Sequence, residues 1–212
     1  MKKTDFEPSS QRAASCAAGR PAVAIVAALL AACASPPPTH FHTLMPDATA
    51  ATAAGGAAVT PLDWELAPVV VTPQVDQPQW VVRAADGTLV VLESERWIAP
   101  LADEIRGAVA ERLTRSFGPP RTRPLPPSTP AWRIGVDVQR FELIAMREAR
   151  LEANWTLRGE KVALTCHTAL SQPAAQADYL ALARAQRQSV QQLADAIAAA
   201  LEKASKGVAV AC

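Results

Sequence analysis

The sequence predicts an α+β domain, a two-layer sandwich in which two helices cover one face of a largely antiparallel sheet. Short apolar segments of period two recur beyond residue 61, and tight turns separate several of them. Two longer segments carry apolar residues at helical spacing. Alternating strands have one apolar face and such helices have one apolar stripe, so packing both helices on one side of the sheet buries all of these surfaces.

The predicted order of elements is βββαβββα. LDWELAPVVV, QWVVR and TLVVL predict the first three strands, and ADG between the last two is typical of a hairpin turn. The segment 95–118 predicts the first helix, with Pro100 in its first turn and Gly118 at its end. Its apolar stripe consists of Leu101, Ile105, Ala108, Val109, Leu113 and Phe117.

A Pro-rich loop to about residue 130 precedes the second half of the domain. WRIGVDVQRFEL, RLEANWTLR and KVALTCHTAL predict three strands, with a bulge where Phe141 breaks the alternation and a hairpin turn at Gly159. The last helix is predicted from about Asp178 to Lys203, and GVAVAC is predicted as a short extended segment.

The N-terminus is typical of an exported protein. Basic residues precede an uncharged run of about 12 residues, which is too short for a bilayer core that needs roughly 20. Leu30-Ala31-Ala32-Cys33 resembles the lipobox of bacterial lipoproteins, and the resemblance implies cleavage before Cys33 and a diacylglycerol thioether on its sulfur. The alternative is a buried helix that ends in an ordinary cysteine. Ala34, where an aspartate would imply inner-membrane retention, implies an outer-membrane location by the same resemblance.

The sequence therefore divides into three parts. Residues 1–32 are predicted as a lipoprotein signal peptide, residues 33–60 as a lipidated, flexible Pro/Ala-rich tether, and residues 61–212 as the folded domain. Lipid chains on Cys33 would anchor the protein to a membrane without spanning it.

The sequence offers no catalytic, metal or cofactor site. A net charge of +1 argues against nucleic-acid binding, and the motifs of hydrolases, zinc enzymes and phosphate-binding loops are absent. His40 and His42 would share one face of a strand, and we interpret them as a solvated or edge-strand pair in preference to metal ligands. His167 is interpreted as structural. The acidic residues Glu93, Glu95, Asp103 and Glu104 are interpreted as the solvated start of a helix.

Cys166 and Cys212 are the cysteines that follow Cys33. An exported location is oxidising, so one interpretation is a disulfide that ties the C-terminus to the sheet. The other is two unpaired thiols, one buried and one on a loose tail. The sequence leaves both open.

Six short segments, in this order and spacing, resemble the ABC-type transport auxiliary lipoproteins, the PqiC-like family. They are FHTL at 41–44, DQPQWVVR at 76–83, RWIAPL at 96–101, RFE at 140–142, WTL at 155–157 and LADAIA at 193–198. The resemblance covers nearly all of the chain after Cys33.

The resemblance implies a non-catalytic component of an MCE-type lipid transport system, anchored to the outer membrane and facing the periplasm. It implies an MCE-domain protein as partner, with phospholipid and a second copy of the chain as further candidates. Trp80, Arg83, Arg96 and Trp97 lie in the matching segments and are candidates for partner contacts. The alternative for both tryptophans is a place in the core, and the alternative for both arginines is to brace the sheet. A structural envelope lipoprotein that does not handle lipid is the alternative function.

Overall fold

The computed structural model describes residues 38–46, 59–121, 131–210 and 212. The predicted signal peptide, Cys33, residues 47–58 of the predicted tether and most of the Pro-rich loop before residue 131 lie outside the described residues.

The described residues form eight strands and two helices. The strands are β1 (His40–His42), β2 (Trp64–Leu66), β3 (Val70–Val71), β4 (Gln79–Arg83), β5 (Leu89–Trp97), β6 (Trp132–Ile144), β7 (Glu148–Arg158) and β8 (Ala163–Pro173). The helices are α1 (Leu101–Phe117), which follows β5, and α2 (Tyr179–Ser205), which follows β8.

One mixed sheet contains all of these strands, in the order β1-β5-β4-β6-β7-β8, with β2 and β3 beside the first part of β6. The long pairings β4–β5, β6–β7 and β7–β8 are antiparallel. The short pairings β1–β5, β2–β6, β3–β6 and β4–β6 are parallel. Most of the ladder is therefore antiparallel, as the sequence predicts.

Both helices pack on one face of the sheet. Strands β6 and β7 bury alternate residues, among them Val136, Leu151 and Leu157, while the intervening Asp137 and Asn154 face away from this core. Helix α2 buries an amphipathic stripe that includes Leu182, Val190, Leu193, Ile197 and Leu201, and helix α1 lies beside it. Asp178 caps α2, because its carboxylate accepts a hydrogen bond from the Ala181 amide at 2.6 Å. The predicted α+β sandwich is confirmed.

The single strand predicted over LDWELAPVVV is two strands. Leu66 pairs with Ile134 and Val70 pairs with Asp137, so four steps on this segment match three steps on β6. Pro68 lies in the interval and has no N–H to donate, which explains why the ladder breaks there.

The folded part of the chain begins before residue 61. Strand β1 lies within the segment predicted as tether, yet it pairs with β5, and Leu44 just after it is fully buried. A second correction concerns residues 95–97, which extend β5 and are not part of the first helix; α1 begins at Leu101. Together these two changes lengthen β5 and give its C-terminal part a neighbour.

Turns and bulges agree more closely with the sequence. The register of β6 against β7 shifts between Val138 and Arg140, next to the position where Phe141 breaks the alternation. The Gly159 amide donates to the Val162 carbonyl at 2.8 Å in the β7–β8 turn. Beyond α2, the described residues 207–210 of the predicted extended segment belong to no strand of the sheet.

Candidate functional site

An apolar groove lies where β5 leads into α1. Its volume is about 450 Å³, and it is lined by Phe41, Asp76, Gln77, Pro78, Arg96, Trp97, Ile98, Ala99 and Pro100. Phe41 is 60% exposed and Ile98 is 59% exposed, although side chains of this kind are usually buried. Two large apolar side chains at the rim of a groove are typical of a binding surface.

Three segments of the chain meet to form this groove. The Ile98 amide donates to the His42 carbonyl at 2.9 Å, which holds the loop after β5 against β1. The Trp97 amide donates to the Pro78 carbonyl at 2.9 Å, which holds the loop before β4 against the same position. Residue alternation on β1 then turns Phe41 away from the side that carries His40 and His42. Main-chain bonds therefore fix the groove.

A buried carboxylate links β1 to β5 beside the groove. Glu95 is 4% exposed; its Oε1 lies 2.8 Å from His40 Nδ1 and its Oε2 lies 2.6 Å from His42 Nε2. Burial opposes ionisation of this carboxyl, but the two histidine hydrogen bonds and the nearby imidazole charges outweigh it, so the pKa of Glu95 is lowered. The arrangement holds a carboxylate charge inside the domain and uses it to attach β1.

An aromatic cluster continues from this carboxylate into the core. The His42 and Trp80 ring centroids are 4.2 Å apart, and those of Trp80 and Trp97 are 5.0 Å apart. Tyr179 meets Trp80 edge-on at 6.4 Å, and Phe141 meets Trp97 nearly edge-on at 5.8 Å. The cluster therefore joins β1, β4, β5, β6 and the start of α2 beneath the groove.

The four residues predicted as partner contacts have different environments in the structure. Trp80 is fully buried and Trp97 is 4% exposed, so the core interpretation holds for both and Trp80 is not available to a partner. Arg83 donates to Glu142 Oε1 at 2.6 Å and to the Gly87 carbonyl, so it braces the sheet. Arg96 is partly exposed and lines the groove, where it also contacts Glu93. Of the four, Arg96 is best placed to meet a partner.

The interpretation of the acidic residues as a solvated helix start is wrong for two of them. Glu95 belongs to β5 and is buried. Glu104 is 6% exposed, and its Oε2 accepts hydrogen bonds from the Leu44 amide and the Thr43 hydroxyl, both at 2.7 Å. A buried carboxylate at the first turn of α1 therefore holds the segment that follows β1, and the helix dipole favours its charge.

Two further expectations concern the histidines and the cysteines. His40 and His42 lie on an edge strand, as one interpretation held, but the His42 side chain is only 11% exposed. His167 lies on β8, where Nδ1 is 3.0 Å from Asn154 Oδ1. Cys166 and Cys212 form a disulfide with a Cα–Cα distance of 5.4 Å, which ties the C-terminus to β8.

The principal residues of this site, Phe41 and Ile98, were not predicted from the sequence. Phe41 and Ile98 both fall in the matching segments, but nothing in those segments distinguishes a core position from an exposed one. The histidine pair was a better indication of the site. Two imidazoles on one face of a strand need a hydrogen-bond partner, and in the structure that partner is Glu95. Their pairing depends on the register of β1 against β5, which the sequence does not show.

Within the described ranges, no group of three or more histidine, cysteine, aspartate or glutamate residues could hold a metal ion. No helix in the part of the chain that the structure describes is long and apolar enough to cross a membrane.

The fold and the groove define an α+β sandwich domain with an apolar groove on its surface. Comparison with known proteins identifies the class more closely: the chain belongs to the family of ABC-type transport auxiliary lipoprotein components, whose family model matches residues 42–198. The match begins at His42, the last residue of β1, and includes all later strands, α1 and most of α2. The comparison with curated proteins gave no match.

Two solved structures share the fold. One is the crystal structure of an uncharacterized protein, with a TM-score of 0.62 at 15% identity. The alignment covers 76% of this chain and 97% of the chain in that structure. A Xanthomonas campestris protein of the DUF330 family has a TM-score of 0.57 at 19% identity and covers 72% of this chain and 95% of its own. At these identities the similarity shows the fold alone.

Proposed function

We propose that this chain is an outer-membrane-anchored, periplasm-facing lipoprotein that serves as the non-catalytic docking component of an MCE-type ABC lipid transport system. The observation that carries the proposal is membership of the transport auxiliary lipoprotein family across residues 42–198. The lipobox-like sequence ending at Cys33 supports the anchor and its processing, and Ala34 supports export to the outer membrane.

The groove supports the docking part of the proposal. Phe41 and Ile98 expose apolar surface at a position that main-chain hydrogen bonds keep rigid, so binding a partner there costs little ordering entropy. Arg96 adds a charge at the rim that an acidic group of the partner can meet. We assign this groove to an MCE-domain protein of the transport system.

Affinity capture from detergent-solubilised membranes tests the assignment. The tagged full-length protein is expected to retain an MCE-domain protein, identified by mass spectrometry. Ile98→Asp places a charge at the rim and is expected to abolish retention, because an uncompensated charge in a buried contact is costly. Val70→Asp is the matched control, since Val70 is 58% exposed and lies on β3, away from the groove.

The outcomes separate the alternatives. Loss of the MCE-domain protein with Ile98→Asp but not with Val70→Asp supports docking through the groove. Equal retention by both variants would exclude the groove as the docking surface. Capture of unrelated envelope proteins alone favours the alternative function, a structural lipoprotein that stabilises a membrane complex without handling lipid. The mass of the mature N-terminus shows independently whether Cys33 is acylated.

A further inference from the structure

A second exposed apolar surface lies at the other end of β5. Leu89, Val90 and Val91 are consecutive, and they are 45%, 44% and 44% exposed. Neighbouring residues of a strand point to opposite faces, so three exposed residues in a row mean that both faces are open to solvent there. Together with the hairpin turn at residues 85–88, which is also exposed, they form a continuous surface that we term the hairpin tip.

The main-chain edge of the hairpin tip is open as well. Strand β1 pairs with β5 only at Glu95, Arg96 and Trp97. No other strand among the described residues pairs with the outer edge of Leu89–Glu93. Long apolar strand edges in native proteins are usually covered or charged, so we expect another molecule to cover this one. The opposite edge of the sheet, β8, differs because it exposes polar residues such as Thr165, His167 and Ser171.

The direction of β1 shows from which end of β5 the preceding chain arrives. Because β1 runs parallel to β5, the chain that leads into His40 comes from the side of the hairpin tip. Cys33 lies seven residues before His40 (40 minus 33), a span of at most about 25 Å. Thr88 lies seven residues before Glu95, the partner of His40, and the strand rise makes that distance about 24 Å. An extended path from His40 to Cys33 is therefore long enough to reach the level of the hairpin tip.

The residues of this connection favour such a path. Pro36, Pro37 and Pro38 precede Thr39, and proline-rich sequence favours an extended chain. Proline also lacks the N–H that a further strand pairing would need, which explains why pairing with β5 ends at His40.

We infer that the hairpin tip contacts the phospholipid surface that holds the acyl chains of Cys33. The inference rests on the lipidation included in the proposed function. Further residues at this end of the sheet fit a membrane interface: Met146 is 39% exposed in the β6–β7 turn, and Arg147 beside it is an exposed cation suited to lipid phosphates. The Ala145 amide donates to the Arg83 carbonyl at 2.9 Å, which places this turn beside the hairpin.

Charge at the hairpin tip limits the depth of contact. The Asp86 carboxylate accepts hydrogen bonds from the Thr88 amide at 2.9 Å and the Thr88 hydroxyl at 2.7 Å, and these bonds lower the pKa of Asp86. A persistent carboxylate keeps the turn at the headgroup level. The groove at Ile98 then lies on the far side of the domain from the bilayer, because the eight steps from Leu89 to Trp97 span about 27 Å.

Site-directed fluorescence tests this orientation with the processed, lipidated protein in vesicles of phosphatidylethanolamine and phosphatidylglycerol. Val90→Cys and Ile98→Cys are each labelled with the environment-sensitive dye NBD. The introduced cysteine is the one that reacts with the dye, because Cys33 is acylated and Cys166 and Cys212 are joined in a disulfide. Both positions are exposed apolar residues of one segment, so each variant is the matched control of the other. Near-UV circular dichroism verifies that both remain folded.

The expected result is a blue shift of NBD emission at position 90 and quenching there by doxyl-labelled lipid, with neither at position 98. Quenching at position 98 alone, or at neither position, would overturn the inference. A blue shift at position 90 without lipid quenching, growing with protein density, would show that the edge pairs with a second copy of the chain and would equally overturn it. If the protein does not float with the vesicles and its mass shows no acyl group, the proposed anchor fails, and that result is distinct from the others.

Discussion

Replacing Glu95 by alanine is expected to destabilise the domain by about 3 kcal/mol. Hydrogen bonds to a charged group contribute about 1.5–3 kcal/mol each when water is excluded. The bond to His42 is in that class, because the two side chains are 11% and 6% exposed. The bond to His40 is weaker, about 1 kcal/mol or less, because the His40 side chain is 59% exposed and water competes for it.

Urea unfolding at pH 7, followed by tryptophan fluorescence, measures this loss. With a slope near 2 kcal/mol per molar urea, the midpoint falls by about 1.5 M. Glu93→Ala is the matched control on the same strand: the Glu93 side chain is 74% exposed and 3.5 Å from Arg96, so its loss is expected to be about 0.5 kcal/mol or less. Glu95→Gln keeps the shape and one acceptor, and an intermediate midpoint is expected.

The difference in stability between wild type and Glu95→Ala is expected to depend on pH. The pKa of Glu95 is lower in the folded state than in the unfolded chain, so the carboxylate contributes its stability above about pH 4.3, the ordinary value for glutamate. That contribution is lost as the pH falls through the lowered folded value. The gap between wild type and Glu95→Ala is therefore expected to close under acid. Two results would refute the role given to Glu95. One is a stability loss for Glu95→Ala at pH 7 no larger than that for Glu93→Ala, and the other is a loss that grows as the pH falls.

Three further predictions follow from the packing. Cys212→Ser opens a loop of 46 residues, and chain entropy sets the loss near 4 kcal/mol, measured by urea unfolding of the oxidised proteins. Trp80→Ala empties the centre of the aromatic cluster and is expected to cost about 3–5 kcal/mol, measured in the same way. Glu104→Ala leaves the Leu44 amide without its acceptor, and faster hydrogen exchange of that amide is expected from mass spectrometry.

Each of these has its own control. Reducing the wild-type protein should lower its stability to that of Cys212→Ser, and unequal values would mean that the loop is not the cause. Trp132→Ala is the comparison for Trp80, because Trp132 is only partly buried; an equal cost would contradict the central place of Trp80. Asp103→Ala lies beside Glu104 in the first turn of α1 and should leave the exchange of Leu44 unchanged.

Periodicity predicted the parts of this fold that depend on long, regular segments. Strands β6 to β8 alternate over many residues, and α2 carries a stripe over its whole length, so the burial pattern determines each one. Strand β1 has three residues and no apolar alternation of its own; it exists because β5 offers an edge and Glu95 offers a partner for its histidines. The break at Pro68 likewise cannot be predicted without the neighbouring strand β6, because it is an interruption of the pairing with that strand.

The candidate site was harder to predict than the fold. The sequence does not distinguish an exposed phenylalanine from a buried one. Phe41 is exposed because it lies on the edge strand β1. Glu95 and Glu104 resembled a solvated helix start because charge is usually exposed. Their partners lie more than fifty residues earlier, which places the decisive information in long-range pairing.

The attachment of β1 has a mechanical consequence. If Cys33 is held in a membrane, any pull between the membrane and a docked partner passes through residues 34–39 into a strand of three residues. A pull along β5 loads the β1–β5 hydrogen bonds together in shear. The side-chain hydrogen bonds of Glu95 with β1 and of Glu104 with Leu44 share this load. A pull across the sheet would instead open the same bonds one after another. The parallel course of β1 thus suits a protein held under tension from its N-terminus.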